Sequence, residues 1–393
     1  MKAGGSVVPV YPTWAQFWRL PRPRERWRAW FPFNVPGGTW TFSGRVALYH
    51  GLASLDLPRG STILVPAYHQ GVEIDTLLAA GYKVRYYRVT ERLVVDLEDI
   101  ERRLDRTVSA LYLIHYFGFA QPLESVRLFC DARRLRLIED CALSLFSRDN
   151  ETWLGSVGDL ALFSVYKLLP LPHGGFLVTK NGNRAATLRP APRDSTFAQS
   201  LDLLHNGLHA SRWWQIERQL TRASHWIKRA IRWDRARTIS SGGARWDPRL
   251  LAYGASAWSL WLMRFMDPRE IVARRRRNFA RLASHLRGHL PLPFLDTPPG
   301  VCPLFMPVMV PDKPRFQQEL NGLGVQSVDL WDAPHPTCPP DLADEVSSWR
   351  RHCLELPIHQ ELSPDDIDRI AEAVLTVLPG VPARRSAVRQ MQH

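Results

Sequence analysis

The sequence lacks the features that mark secreted, zinc-stabilised and membrane-spanning proteins. Its 393 residues include five cysteines, an odd number without Cys-x-x-Cys spacing, so neither a disulfide framework nor a zinc site is indicated. The first twenty residues contain no apolar run of signal-peptide length, and no later stretch approaches the ~20 apolar residues that span a bilayer. We therefore expect a cytoplasmic protein in a reducing compartment.

Acidic residues are outnumbered, with 38 Asp and Glu against 51 Lys and Arg, for a net charge of +13. Much of the excess lies between Arg212 and Arg245, where nine basic residues face only Glu217 and Asp234. Charge of this sign favours an anionic partner such as a phosphate, a nucleotide, a lipid headgroup or a nucleic acid, and does not choose among them.

Tryptophans accompany this basic segment, and its apolar residues recur at helical spacing in SRWWQIERQLTRASHWIKRAIRW. Such a helix packs on a partner subunit, lines the entry for a phosphorylated substrate, or lies on a membrane surface through residues 212–237. Membrane contact is not favoured over packing against protein. Nucleic acid is the weakest candidate, because no recognition motif accompanies the charge.

Residues 44–180 alternate between helical and strand periodicity. The predicted order is helix 44–55, strand 61–68, helix 72–81, strand 83–89, helix 97–104, strand 108–118, helix 123–134 and strand 135–142. This alternation predicts an α/β fold with a mostly parallel central sheet. Ligands bind beyond the carboxyl ends of such strands. The strand ends PAYHQ, HYFG and EDCA therefore predict the position of a site.

Four regions are predicted along the chain. Residues 1–40 form an N-terminal arm, and residues 41–245 a large domain with a basic, Trp-rich helical insert at about 184–245. Residues 246–380 contain a long helical stretch from Pro248 and a smaller C-terminal α/β domain, with strands at 303–310 and 325–331 and helices at 314–324 and 364–378. Residues 381–393 are a disordered tail. The Arg274–Arg277 run is expected on a solvated helix face.

One lysine, Lys167, lies among apolar residues in FSVYKLLPLPHGGFLV. Apolar surroundings lower the pKa of an amine, and a neutral amine is a nucleophile that forms a Schiff base with an aldehyde. Pyridoxal phosphate is the aldehyde best suited to an α/β crevice, and it also requires a carboxylate for its ring nitrogen and donors for its phosphate. Asp140 at the end of the strand LRLIED is the candidate carboxylate. Gly44 and Arg45, at a helix N-terminus, and Ser164 are candidate phosphate ligands.

Each of these residues has a plainer interpretation. From its local sequence alone, Lys167 is better explained as a lysine at a strand end whose stem lies along apolar surface. Asp140 has a plainer interpretation as a helix cap or a structural carboxylate. His115 and His69 often satisfy local hydrogen bonds, and the structural role is favoured for His359. When Lys167, Asp140 and Ser164 are considered together with the order of the motifs, a chemical role is favoured for Lys167 and Asp140.

The motifs G-x-x-AL (44–48), VPAY (65–68), IEDCA (138–142), FS–K–GG (163–175) and LPIHQELS (356–363) occur in an order that resembles the DegT/DnrJ/EryC1/StrS sugar aminotransferases. The resemblance implies a fold-type I pyridoxal phosphate enzyme that acts as a homodimer and transfers an amino group, usually from glutamate, to a nucleotide-linked keto-sugar. It places the cofactor lysine at Lys167, the ring-nitrogen partner at Asp140, and phosphate contacts at Gly44, Arg45 and Ser164.

The sequence departs from the family pattern in several places. The lysine follows Phe163 by four residues, where the family has six. Leu143 stands where the family prefers Gln or His. The aromatic residue that stacks on the cofactor is replaced by Gln70, with Tyr68 and His69 nearby. Of the family's Asn-x-Arg pair only Arg245 remains, and it is expected, with His115, to contact substrate or phosphate.

The resulting hypothesis is a cytoplasmic, homodimeric, pyridoxal phosphate-dependent aminotransferase for a keto-sugar in glycan synthesis. One alternative is other pyridoxal phosphate chemistry on a sugar, but dehydrating relatives carry histidine in place of the lysine. The other is an inactive relative that acts as a scaffold in a glycan-assembly complex. The shortened FSVYK turn and the basic insert motivate that alternative.

Overall fold

A seven-stranded, mostly parallel sheet forms the centre of the computed structural model, which describes residues 7–14, 25–180, 187–210 and 247–378. The sheet has the order β1-β9-β8-β5-β4-β2-β3, and a small hairpin, β6–β7, lies outside it. The strands are β1 (Thr39–Thr41), β2 (Thr62–Pro66), β3 (Lys83–Tyr87), β4 (Val108–Ile114), β5 (Arg136–Asp140), β6 (Arg148–Asp149), β7 (Thr152–Trp153), β8 (Leu160–Ser164) and β9 (Gly175–Thr179).

Helices connect the parallel strands, as the alternating periodicity predicts. They are α1 (Gly44–Leu52), α2 (Val72–Ala79), α3 (Leu97–Arg103) and α4 (Leu123–Ala132). Strand β2 is buried at every position, and β5 at all but its first, because helices cover parallel sheets on both faces. The predicted α/β class is confirmed. The sequence interpretation assigned no elements to residues 160–179, where β8, the one-turn helix α5 (Val165–Leu168) and β9 lie.

The sheet contains one change of strand direction and one reversal of strand order. Strands β2, β3, β4, β5 and β8 run parallel, whereas β9 pairs antiparallel with β8 and with β1. Strands β2 and β4 are neighbours, and the chain leaves β2 toward β3 on one side and leaves β4 toward β5 on the other. A crevice opens at the carboxyl ends of strands where the order reverses in this way.

After α6 (Arg193–Ala210), the description resumes at residue 247, and the helical stretch predicted from Pro248 is interrupted. It consists of a 3₁₀ turn (Pro248–Ala252), α7 (Ala257–Met263) and α8 (Pro268–Leu286). The last break has a local cause: Asp267 accepts the backbone N–H of Arg269, and Pro268 occupies the first helical position. Both features favour the start of a helix over its continuation.

The C-terminal region contains the antiparallel pair β10 (Met306–Met309) and β11 (Cys353–Leu356), with α9 (Lys313–Gly322), α10 (Pro340–Glu345), α11 (Ser347–His352) and α12 (Pro364–Val377). The predicted strand at 325–331 is wrong. Val325 forms a bridge with Val8, and Val328 forms one with Glu355, so two different partners prevent a continuous ladder. The predicted helix at 364–378 is confirmed, and a Ser363–Asp366 capping box begins it.

The Arg274–Arg277 run is not simply a solvated face. Arg275 is fully buried, and its guanidinium donates to the carbonyl oxygens of Leu168, Pro303 and Leu304 and to Oε1 of Gln360. Arg277, two residues later, is exposed. A helix presents successive residues to different directions, so a run of identical residues does not share one environment.

The described parts of the N-terminal arm pack against the body of the protein. Val8 exchanges backbone hydrogen bonds with Gly324 and Gln326, and Tyr11 contacts Phe305 edge-on at 5.5 Å. The basic segment 212–237, Arg245 and the tail lie outside the described residues. Within the ranges that are described, no helix combines the length and apolarity needed to cross a membrane. The division into a large and a small domain stays a prediction.

Candidate active site

A cavity of about 510 Å³ lies at the carboxyl ends of the parallel strands, where the strand-end motifs predict a site. Side chains from the sheet, from α1, α2, α5 and α6, from the N-terminal arm and from the C-terminal region line it. Six of the predicted site residues are among them: Gly44, Arg45, Gln70, Asp140, Ser164 and Lys167. The residues come from distant parts of the sequence, so the fold brings them together.

Lys167 reaches this cavity despite the shortened turn. Strand β8 ends at Ser164, and α5 follows at once, so the lysine lies within the first turn after the strand. The turn is held where the Val165 N–H donates to the Gly174 carbonyl at 2.8 Å. Desolvation lowers the pKa of the Lys167 amine, and the nearby carboxyl group of Asp140 opposes that shift. Burial thus favours the neutral, nucleophilic amine.

Asp140 is the last residue of β5 and is 8% exposed. Its Oδ2 accepts the hydroxyl of Tyr112 at 2.6 Å, and its Oδ1 accepts the N–H of Ala142 at 2.8 Å. Burial raises the pKa of the carboxyl group, whereas these two hydrogen bonds and the Lys167 charge oppose the increase. An oriented, buried carboxyl group in this position is suited to pair with a ring N–H.

The N-terminus of α1 has the properties of an anion site. Ser43 occupies the cap position but forms no side-chain cap hydrogen bond, and its Oγ is buried without a hydrogen-bond partner among the described residues. A Cβ on Gly44 would lie 2.6 Å from Oγ of Ser164, so only glycine lets this serine approach the helix. Ser43, Gly44, Arg45 and Ser164 all line the cavity. Helix N–H groups, hydroxyls and a guanidinium together are the donors that a phosphate requires.

A second carboxyl group, Glu73, was not selected from the sequence. It lies in the first turn of α2, lines the cavity and is 6% exposed. Its Oε1 accepts the N–H of Gln70 at 2.9 Å. Burial, and then the Asp140 charge, raise the pKa of Glu73 to about 7. A glutamate at a helix start is usually solvated, so the sequence carried no signal that this one is buried.

The remaining predicted residues lie elsewhere. Tyr68 is buried beneath the cavity wall, with its ring 4.7 Å from that of Trp331, and does not line the cavity. His115 is fully buried; its Nε2 pairs with Glu139 at 2.9 Å, and its Nδ1 accepts the Gln121 N–H at 3.2 Å. These contacts assign His115 a structural role in place of the predicted substrate contact. Arg245 lies outside the described residues.

The sequence did not predict that the N-terminal arm and helix α6 contribute to the cavity wall. Residues 9–13 of the N-terminal arm contribute Tyr11 and Thr13, and the arm is anchored where the Thr13 N–H donates to Glu361 at 2.8 Å. Helix α6 contributes Gln199, Asp202 and Asn206. These positions share one face because they are three or four residues apart. The long chain separation of both segments from Lys167 explains why sequence patterns could not join them to the site.

The sheet order and the C-terminal α/β region define a fold-type I pyridoxal phosphate transferase fold. NtdA from Bacillus subtilis, solved with bound cofactor PMP, superimposes with a TM-score of 0.59 at 17% identity, over 87% of this chain and 73% of that one. Residues 38–208 match the model of the DegT/DnrJ/EryC1/StrS aminotransferase family. The resemblance that the motifs predict is therefore confirmed over these residues, which are somewhat less than half of the chain.

Two curated relatives show how far the similarity extends. GDP-perosamine synthase from Vibrio cholerae is 29% identical over 151 residues, which span 38% of this chain and 41% of the relative. The dTDP-3-amino-3,6-dideoxy-alpha-D-galactopyranose transaminase of Aneurinibacillus thermoaerophilus is 23% identical over 358 residues, or 84% of this chain and 83% of the relative. The stronger similarity thus spans about two fifths of the relative.

Proposed function

We propose that this protein is a pyridoxal phosphate-dependent aminotransferase that moves an amino group, with glutamate as the expected donor, to a nucleotide-linked keto-sugar. The observation that carries the proposal is the convergence of Lys167, Asp140 and the open N-terminus of α1 on one cavity. An amine, a carboxyl group and an anion site are the three groups that this cofactor requires. The family match over residues 38–208 supports the same activity.

The side chains fit the cofactor by their chemistry. The unpartnered Ser43 hydroxyl, the first N–H groups of α1, Arg45 and Ser164 would hold the phosphate. Asp140, oriented by Tyr112 and Ala142, would accept the ring N–H. Lys167 would hold the aldehyde carbon. When bound, the cofactor supplies an electron sink for the carbon that bears the transferred nitrogen.

The chain's own residues then control protons and water. Lys167, as a neutral amine, would take the proton from the donor's Cα and return it to the carbon on the other side of the transferred nitrogen. Desolvation favours this neutral form, because it lowers the pKa of the amine. Asp140 stays hydrogen-bonded to Tyr112 while it carries negative charge. Tyr11, Thr13 and side chains of α6 line the same cavity and would limit access of water to it.

The proposal includes a homodimer in which Arg245 helps to hold the phosphate or an anionic substrate. The curated relatives support the sugar class of substrate through their names alone, since perosamine and 3-amino-3,6-dideoxygalactose are amino sugars. Sedimentation or light scattering of the purified protein tests the dimer. Loss of phosphate or substrate affinity in Arg245→Ala, with the visible cofactor band retained, tests the arginine.

The direct experiment is an absorbance spectrum of the purified protein with pyridoxal phosphate, before and after addition of glutamate. We expect a visible band that bleaches with glutamate, and no such band in Lys167→Ala. A Lys167→Ala variant that keeps both the band and turnover contradicts the assignment of this lysine. A band that ignores glutamate retains the cofactor but rules out glutamate as the donor.

A second candidate is a catalytically inactive scaffold, which the two-residue deletion before Lys167 favours. The same spectrum separates the two, because a scaffold does not exchange its amino group with glutamate. The position of Lys167 argues for activity, since with the deletion it still lines the same cavity as Asp140 and interacts with its charge.

A further inference from the structure

Glu73 is a buried carboxyl group in the candidate active site to which neither the family motifs nor the proposed chemistry gives a task. It lies in the first turn of α2 and lines the same cavity as Lys167 and Asp140. Burying a carboxyl group to 6% exposure is costly unless it is paired or protonated. The hydrogen bond from the Gln70 N–H at 2.9 Å satisfies part of that requirement.

The charges around Glu73 come from several elements. Asp140 on β5 raises its pKa, and Lys167 on α5 lowers it. The effect on Lys167 is reciprocal: Asp140, and then Glu73, raise the pKa of the amine, while Arg45 and desolvation lower it. Among the described residues, Glu73 also interacts with Arg350 from α11 and with the phenols Tyr86, Tyr112 and Tyr116. Asp202 on α6 lines the same cavity.

We propose that Glu73 acts with Asp140 as a second carboxyl partner of the Lys167 amine, and so sets the pH at which that amine becomes reactive. Glu73 is a positioning residue in this assignment, because it acts through Lys167. Its ionised form stabilises the ammonium and withholds the amine from reaction. Its protonated form leaves Lys167 with Asp140 as the one remaining carboxyl partner.

The carboxyl groups of Asp140 and Glu73 differ in whether they can respond to the charge on Lys167. In the proposed function, Asp140 pairs with the ring nitrogen of the cofactor, so its charge is already balanced. Asp202 on α6 also lines the cavity, but Glu73 is the carboxyl group besides Asp140 whose charge acts on the Lys167 amine. With a pKa raised to about 7, it changes protonation within the range in which enzymes work, whereas a solvated glutamate does not.

A purely structural role makes a different prediction. If Glu73 only braces the turn before α2 through the Gln70 N–H, loss of its charge does not affect Lys167. Glu73→Gln separates the two roles, because the amide oxygen still accepts the Gln70 N–H while the charge is removed. Glu73→Thr is a second uncharged variant, with a shorter side chain.

The experiment measures the reactivity of the Lys167 amine itself, without cofactor. The protein is labelled with a trace of acetic anhydride at pH values from 6 to 10, and acetylation of the Lys167 peptide is measured by mass spectrometry against that of surface lysines. Only the neutral amine reacts. We expect Glu73→Gln to shift the midpoint of the Lys167 curve to lower pH, so that labelling at pH 8 is roughly three- to tenfold faster than in the wild type.

Asp75→Asn is the matched control, because Asp75 lies on the same helix, two residues away, and pairs with His335 outside the cavity. It should leave the Lys167 curve unchanged. Curves for Glu73→Gln and Glu73→Thr that both superimpose on the wild-type curve, in proteins with native circular dichroism, overturn the proposal.

This inference rests on the proposed function only for the reaction in which the Lys167 amine takes part. If pyridoxal phosphate gives no visible band but the labelling midpoint still shifts in Glu73→Gln, the proposed function fails and the coupling stands. If the band forms and the midpoint does not shift, the proposed function stands and the coupling fails.

Discussion

The hydroxyl of Tyr112 donates a 2.6 Å hydrogen bond to Oδ2 of Asp140, and both residues are buried. Tyr112 lies on β4 and Asp140 on the neighbouring strand β5, so the register of two parallel strands sets the contact. The bond favours the ionised carboxylate over the acid, against a burial effect that raises the pKa of Asp140. It therefore preserves the charge that a ring N–H requires.

Tyr112→Phe should weaken pyridoxal phosphate binding. A hydrogen bond to a charged group contributes about 1.5–3 kcal/mol, so the dissociation constant should rise roughly tenfold or more. Titration followed by absorbance measures it. Tyr87→Phe is the control, because the Tyr87 hydroxyl donates to the Tyr112 carbonyl oxygen and Tyr87 does not line the cavity. An equal loss of affinity in both variants would point to disturbance of the strand, not to Asp140.

Ser43→Ala should lower affinity for pyridoxal phosphate more than for pyridoxal, which has no phosphate. The Ser43 hydroxyl is buried without a partner at the N-terminus of α1, so its removal leaves the empty protein intact. We expect a roughly five- to tenfold loss for the phosphorylated ligand, from about 1–1.4 kcal/mol for one hydrogen bond. Ser54→Ala, just beyond the opposite end of the same helix, is the control. A similar loss of affinity for pyridoxal phosphate and for pyridoxal would show that Ser43 does not contact the phosphate.

Arg275→Ala should destabilise the fold by about 3–5 kcal/mol, because it removes the guanidinium donors of the buried carbonyl oxygens of Pro303 and Leu304 and opens a cavity. Urea unfolding provides the measurement. Arg277→Ala, in the same run but exposed, should change stability by no more than about 0.5 kcal/mol. Similar losses for the two variants would show that burial of Arg275 contributes nothing specific.

Stability should fall in acid partly through His359. This residue is 1% exposed, and burial lowers its pKa to about 3. The unfolded state, with a His pKa near 6.5, binds more protons between these values, so folding free energy is lost as pH falls below about 6.5. His359→Gln should reduce the slope by up to about 1.4 kcal/mol per pH unit. Urea unfolding between pH 4.5 and 6.5 tests this, and an unchanged slope contradicts it.

The sequence alone determined the fold class, because helix and strand periods alternate through residues 44–142 and leave few architectures open. It also predicted Lys167 and Asp140 as candidate site residues, since a lone lysine among apolar residues and a carboxylate at a strand end are unusual locally, and both line the cavity. The position of the cavity followed from a general property of parallel sheets. These patterns lie within short stretches of the sequence and do not depend on residues that are distant in the chain.

Only the tertiary structure decided the roles of Glu73, Ser43 and Arg275. An acidic residue, a serine and an arginine at or within helices normally face water, and nothing nearby in the sequence marks these three as buried. Burial results from strands and loops that are distant in the chain, and burial is what raises the pKa of Glu73 and leaves the Ser43 hydroxyl unpartnered. The same effect removed His115 from the predicted substrate contacts, because Glu139 and Gln121 take both its nitrogens.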